Sequence, residues 1–126
     1  MKFWLTAVAV IGATAFIAAP SHQAAAQSAP DGAMVFKQRC SSCHAVAAGK
    51  PATLGPNLAG VGGRKAGSTA YNYSAAMKKS NIVWTKPNLD KYLTGPAKMV
   101  PGTKMMVSIS DPKQRAALVT YLSQVK

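Results

Sequence analysis

Residues 45–74 follow neither a helical nor a strand period, and they are rich in Gly, Pro, Ser and Asn. Gly55-Pro56-Asn57 and Gly62-Gly63 mark irregular turns within them. Loops beyond about 15 residues are uncommon in compact domains unless something organises them, and this one runs to roughly thirty. Helical signals flank it. Asp31 is a good N-cap, and Gly32, Val35, Phe36, Cys40 and Cys43 fall on one face, which predicts a helix over 31–42. A short helix is expected over 74–79. Thr85 caps the next helix, Pro87 sits in its first turn, Leu89, Tyr92 and Leu93 form its buried stripe, and Gly95-Pro96 stops it. Asp111-Pro112 opens a last helix over 112–125, with Leu118, Tyr121, Leu122 and Val125 at i, i+3, i+4 and i+7. Three helices, no strand pattern and a long loop make a poor core, because a chain near 100 residues buries only about 60–65% of its unfolded surface. The pattern asks for an additional buried body.

The start of the chain is a targeting segment. Met1-Lys2 is followed by an uncharged apolar run over 3–19, then Pro20 and small residues. Ala24-Ala25-Ala26 supplies an Ala-x-Ala cleavage site. This predicts a cleavable signal peptide over 1–26 and one domain over 27–126. The alternative is an uncleaved membrane anchor, since an apolar run of about 17 residues is at the lower edge of spanning length. Cleavage removes 26 of 126 residues and leaves 100; it takes Lys2 and no acid, so the formal charge falls from +12 to +11. It also removes His22 and leaves His44 as the one imidazole. The short, Ala-rich leader points to a bacterial periplasm, a compartment that permits disulfides.

Cys40-Ser41-Ser42-Cys43-His44 is the attachment signature of c-type haem. Thiols at i and i+3 share a helical face and reach the two vinyl groups on one porphyrin edge, and the next residue offers its imidazole to the iron. Two other readings compete. A thioredoxin-like redox pair belongs at a helix start in a βαβ unit, and no strand pattern is present. A structural zinc site needs four ligands, whereas two Cys and His44 supply three. A sixth ligand for iron must then come from Met34, Met77, Met99, Met105, Met106 or a lysine. A thioether gives an electron-transfer haem of raised potential. Met105 and Met106 follow the turn Pro101-Gly102-Thr103-Lys104 and can fold over the face opposite His44.

From Asp31 onward the sequence resembles the class I cytochromes c, the mitochondrial member and its small soluble bacterial relatives. The resemblance rests on the haem motif, Gly55-Pro56-Asn57-Leu58, Gly63-Arg64-Lys65, Tyr71-Asn72-Tyr73-Ser74, Ile82-Val83-Trp84, Tyr92-Leu93-Thr94-Gly95-Pro96 and Pro101-Gly102-Thr103-Lys104-Met105. It implies an all-α fold, three main helices plus short helical turns and long loops wrapped around one covalently bound haem. It further implies thioether attachment at Cys40 and Cys43 and axial ligation by His44 and Met105. Pro56 would accept from the imidazole N–H. Tyr73 and Trp84 would hydrogen-bond a propionate, with Arg64 nearby. Tyr92 and Thr103 would steady the Met sulfur. Gly32 and Phe36 would cross Leu118 and Tyr121. Three positions depart from the family's habit. Met77 stands where an Asn is frequent, which would remove a polar group or a water and raise the potential. Val107 stands where a Phe is usual and would leave the haem edge more open. Met106 beside Met105 would allow ligand exchange.

The charge fits a carrier that is steered to acidic surfaces. Arg39, Lys50, Lys98 and Lys104 flank the haem motif or the Met105 turn, while Asp31, Asp90 and Asp111 lie near helix starts, where capping or the helix dipole accounts for them. Hydrophobic residues at 48% exclude a disordered basic tail, and export argues against nucleic acid. The expectation is a monomeric periplasmic electron carrier, not an enzyme. It would dock on a cytochrome bc complex, a terminal oxidase or a photosynthetic reaction centre, with a weak secondary contact to anionic membrane surfaces. The alternatives are a dedicated haem subunit of a periplasmic dehydrogenase and an open-site haem protein that binds gas or reduces peroxide.

Overall fold

Four helix starts are set by local side-chain caps. In the computed structural model, which describes residues 29–126, Asp31 accepts from Ala33 N, Ser74 from Met77 N, Thr85 from Asn88 N, and Asp111 from Lys113 N and Gln114 N. They open α1 (Gly32–Arg39), α2 (Ala75–Lys79), α3 (Lys86–Thr94) and α5 (Pro112–Leu122), and α4 (Pro96–Met99) lies between the last two. The predicted leader over 1–26 is outside the described residues. Among the described residues no helix is long and apolar enough to cross a membrane.

Two helix ends differ from the sequence reading, and one expected stop also starts a short helix. α1 ends at Arg39 rather than 42, because the chain tightens into turns at Cys40. Cys43 N and His44 N both donate to Cys40 O, at 3.0 and 2.9 Å, so the two cysteines face together from a turn rather than a regular helix. α5 ends at Leu122 rather than 125. Gly95-Pro96 does end α3, but Pro96 also begins α4: a missing N–H costs nothing at a first helical position.

α1 and α5 cross at Gly32. A Cβ there would lie 2.2 Å from Ala117 O and 2.7 Å from Tyr121 Cβ, so only hydrogen fits. Phe36 then packs on Tyr121 with ring centroids 5.7 Å apart. Leu118 of α5 is completely buried, and Val35, Leu89, Leu93, Val119 and Leu122 complete the helical core. α3 is fastened to α5 by Arg115 Nε, which donates to Asp90 Oδ1 at 2.7 Å. Asp90 therefore serves an ion pair in mid-helix, not the cap or dipole role expected for it.

Residues 45–74 are loop, as the composition implies, and their own hydrogen bonds hold them. Asn57 Nδ2 donates to Ala47 O and to Lys50 O, both at 2.8 Å, and Asn57 Oδ1 accepts from Ala59 N at 2.8 Å. Gly63 N donates to Trp84 O, Trp84 N to Arg64 O and Ala66 N to Ile82 O. These bonds include the single isolated bridge among the described residues, Lys65 with Val83. The loop is thus drawn round one wall of a cavity instead of filling the interior.

Candidate haem site

The cavity has a volume of about 350 Å³, and Cys40, Cys43, His44, Pro56, Arg64, Tyr73, Trp84, Tyr92, Thr103 and Met105 all line it. The ten residues expected to hold or surround the cofactor therefore reach one place, from segments as far apart as the turn after α1 and the turn before Met105, while the ligand candidates Met34 and Met99 do not line it.

The imidazole is set by the loop that follows it. His44 Nδ1 lies 2.8 Å from Pro56 O. A proline carbonyl can only accept, so Nδ1 carries the proton and Nε2 is left with its lone pair. Burial lowers the His44 pKa from its ordinary value, and the bond to Pro56 works against that shift. The neutral imidazole is the form that ligates a metal. Gly55 lets the loop close on the ring, and Cys43 O fixes the loop by accepting from Gly55 N and from Thr53 Oγ1, both at 2.9 Å. Thr53 supports this side without having been singled out from the sequence, because nothing local distinguishes it from a solvated loop residue, and Asn57, quoted there within its turn, was given no role of its own. A Cβ on Gly55 would lie 2.5 Å from His44 Cε1. Gly55→Ala is expected to rotate the imidazole or lift the loop and to destabilise the fold by about 1–3 kcal/mol. Denaturant midpoints of the two proteins check this, and equal midpoints would contradict the packing.

Both cysteines are free thiols; Cys40 is buried and Cys43 partly exposed. Burial pushes the Cys40 thiol up to about 11, Arg39 opposing and Cys43 adding to the shift.

On the other side, Tyr92 OH and Thr103 Oγ1 share a hydrogen bond at 2.7 Å, and Met105 N donates to the same Thr103 oxygen at 3.4 Å. Burial raises the Tyr92 pKa, the Thr103 bond opposing. Met105 packs against the core, while Met106 is 78% exposed. Met77 is buried and also lines the cavity, and Val107 is 41% exposed at its edge. Trp84 is buried against Tyr92, ring centroids 4.9 Å apart. Tyr73 OH is paired with Thr69 Oγ1 at 2.6 Å, and Arg64 donates to Ala59 O and Asn57 O. Arg64 and Tyr73 are thus tied to their own loop here, whereas the resemblance gave Tyr73 a propionate as partner with Arg64 nearby. Lys104 Nζ donates to Asn72 O, and Tyr71 OH donates to Leu54 O at 2.7 Å, so three loops meet at the mouth.

The donor set suits a c-type haem. Two unpaired thiols three residues apart, a neutral imidazole with one nitrogen already committed, and a thioether border one cavity whose wall is mainly apolar. Among the described residues no three His, Cys, Asp or Glu side chains are grouped as a metal site would need.

The sequence matches the cytochrome c family over residues 29–126. It is 45% identical over 94 residues to cytochrome c of Theileria annulata, covering 74% of this chain and 82% of that one. It is 43% identical over 102 residues to cytochrome c of Guizotia abyssinica, with 79% and 92% covered, and 45% identical over 98 residues to that of Cochliobolus lunatus, with 76% and 91% covered. Helices wrapped round a cavity that holds the haem motif, together with this family match, make it an all-α, class I c-type domain, and the family's members are electron-transfer proteins, not enzymes. The chain belongs to the cytochrome c family and carries that family's single covalent haem c.

Proposed function

We propose that the chain is exported by residues 1–26, loses them, and works in a bacterial periplasm as a monomeric one-electron carrier between membrane redox complexes. The observation that carries this reading is the convergence of all ten sequence-chosen residues on one cavity, with His44 Nδ1 already held by Pro56 O. Haem c, when bound, supplies an iron that alternates between ferric and ferrous states. Cys40 and Cys43 would hold the group covalently, each S–H adding across one vinyl group, an addition with no leaving group. His44 Nε2 and the Met105 sulfur would bind its iron and would leave no open position on it for a substrate. Trp84, Tyr73 and Arg64 bring N–H and O–H donors to the wall where acidic side groups of the porphyrin would lie. The apolar leader and its Ala-x-Ala site support export.

The surface suits an acidic docking partner, such as a face of a cytochrome bc complex, a terminal oxidase or a reaction centre. Without Lys2, fourteen of the fifteen Lys and Arg remain against three acids, and each acid is engaged: Asp31 and Asp111 cap helices, and Asp90 pairs with Arg115. The unbalanced positive field steers encounter with negative surfaces, including anionic membranes, and weakens with salt.

The test is the visible spectrum of protein produced with haem-attachment machinery and recovered from the periplasm. Sharp ferrous bands, a weak far-red ferric band from sulfur on iron, and a mass starting at Gln27 are expected. Haem without the far-red band would remove Met105 from the iron. A full-length mass or a membrane-bound product would overturn the exported, cleaved form.

A further inference from the structure

The segment after Met105 has no regular secondary structure, yet three consecutive carbonyls in it are held by arginines from opposite ends of the chain. Arg115 Nη1, from α5, donates to Ile109 O at 2.9 Å and to Ser110 O at 3.2 Å. Ile109 N donates to Leu93 O at 2.8 Å. The Arg115 guanidinium is itself fixed by Asp90, so this anchor belongs to the α3–α5 body. Ser108 O, one residue nearer Met105, accepts instead from Arg39 Nη2 at 3.3 Å.

Arg39 is the last residue of α1 and immediately precedes Cys40. It lines the cavity, as do Met106 and Val107. Its side chain therefore joins the part of the chain that carries both thiols and His44 to the part that carries Met105. The latch lies where that segment is otherwise thinly held. Met106 and Val107 are 78% and 41% exposed, and Val107 is a small side chain at the cavity edge. Toward the N-terminus the segment is fixed at Thr103 and, through Lys104, at Asn72. Between Met105 N and Ile109 N, the Arg39 bond is the only hydrogen bond of that stretch to another element among the described residues.

We propose that Arg39 is a positioning residue for Met105: its hold on Ser108 O limits how far the Met105 segment lifts from the cavity. This rests on Met105 being the sixth ligand. Arg39 does not touch the ligand sulfur; it acts through three residues of backbone. A charge-assisted bond between an exposed guanidinium and a carbonyl contributes modestly, so its loss should bias the segment toward the lifted form without unfolding the domain.

The test is competition at the iron. Imidazole is neutral and must displace Met105, so its affinity for the ferric holoprotein reports how easily the segment lifts. Arg39→Gln is expected to bind imidazole about five-fold more tightly, roughly 1 kcal/mol at 1.4 kcal/mol per tenfold. Its ferric far-red band and thermal midpoint should stay near those of the parent. Arg39→Lys, which keeps a donor, is expected to recover part of the difference. Lys113→Gln removes one exposed charge from the first turn of α5 and is expected to leave imidazole affinity unchanged. Equal affinity in Arg39→Gln and the parent would overturn the latch. An equal rise in Lys113→Gln would overturn it too, by assigning the effect to net charge. A lowered thermal midpoint with unmoved imidazole affinity would make Arg39 merely structural. A parent protein without the far-red band would instead overturn the Met105 reading, and the latch with it.

Discussion

Gly32→Ala is expected to lower stability by about 3 kcal/mol or more, the upper end of what overpacking costs. The added methyl would meet Ala117 O at 2.2 Å and Tyr121 Cβ at 2.7 Å. The first contact is with α5 backbone, so no rotamer relieves it, and α1 must move away. That movement breaks the Phe36–Tyr121 contact and opens the space round Leu118, the most deeply buried side chain among the described residues. Helix propensity works in the opposite direction, since Ala is favoured over Gly by up to about 1 kcal/mol inside a helix. Sterics outweigh it at this position because the clash is with main chain. For a domain near 100 residues each kcal/mol shifts the melting temperature by about 4–8 °C, so a fall of roughly 12–24 °C is expected in thermal unfolding followed by circular dichroism. Ala116→Ser, on the exposed side of α5, should move it by no more than about 4 °C. An unchanged melting temperature in Gly32→Ala would mean that the helices are not in contact there.

What could be read from the sequence divides by range. Asp31, Ser74, Thr85 and Asp111 announce helix starts because capping is a rule about three neighbouring residues. Helix ends are less legible: α1 stops at Arg39 because the chain must turn at the cysteines, which periodicity continues straight through. Gly95-Pro96 was legible as an end and hid a beginning, since the two signals are the same two residues. Cys40, Cys43 and His44 stand out because covalent chemistry fixes their spacing. Pro56, Tyr92 and Thr103 read locally as turn or core residues, and their roles at the site could be named only through resemblance, although the structure then places hydrogen bonds on all three. Arg39 with Ser108 O spans 69 residues and Arg115 with Asp90 spans 25. Each pair is visible only after the chain has folded, which is why Asp90 reads as a helix-start acid in the sequence.

Met105→Ala and Met106→Ala should differ more than any other neighbouring pair in the chain. Along an extended segment successive side chains point to opposite sides, and here one thioether packs against the core while the next is 78% exposed. The inward one is also registered from behind: Met105 N donates to Thr103 Oγ1, which is tied to Tyr92 OH at 2.7 Å. In Met105→Ala the haem stays attached through Cys40 and Cys43, the far-red ferric band disappears, and the reduction potential falls, because thioether ligation raises it. An intramolecular ligand competes at a high effective concentration. Its removal should therefore strengthen imidazole binding to the ferric protein by about 100-fold or more, and carbon monoxide should bind the ferrous protein at neutral pH. Met106→Ala should keep the band and bind imidazole within about two-fold of the parent, a change set only by side-chain packing at the surface. The reverse pattern would put Met106 on the iron and require Met105 to leave the core. Opening in both variants would show that the two sulfurs exchange. The Tyr92–Thr103 bond argues against exchange: it fixes the backbone one residue before Lys104, so bringing Met106 inward means breaking it and exposing the apolar surface that Met105 now covers.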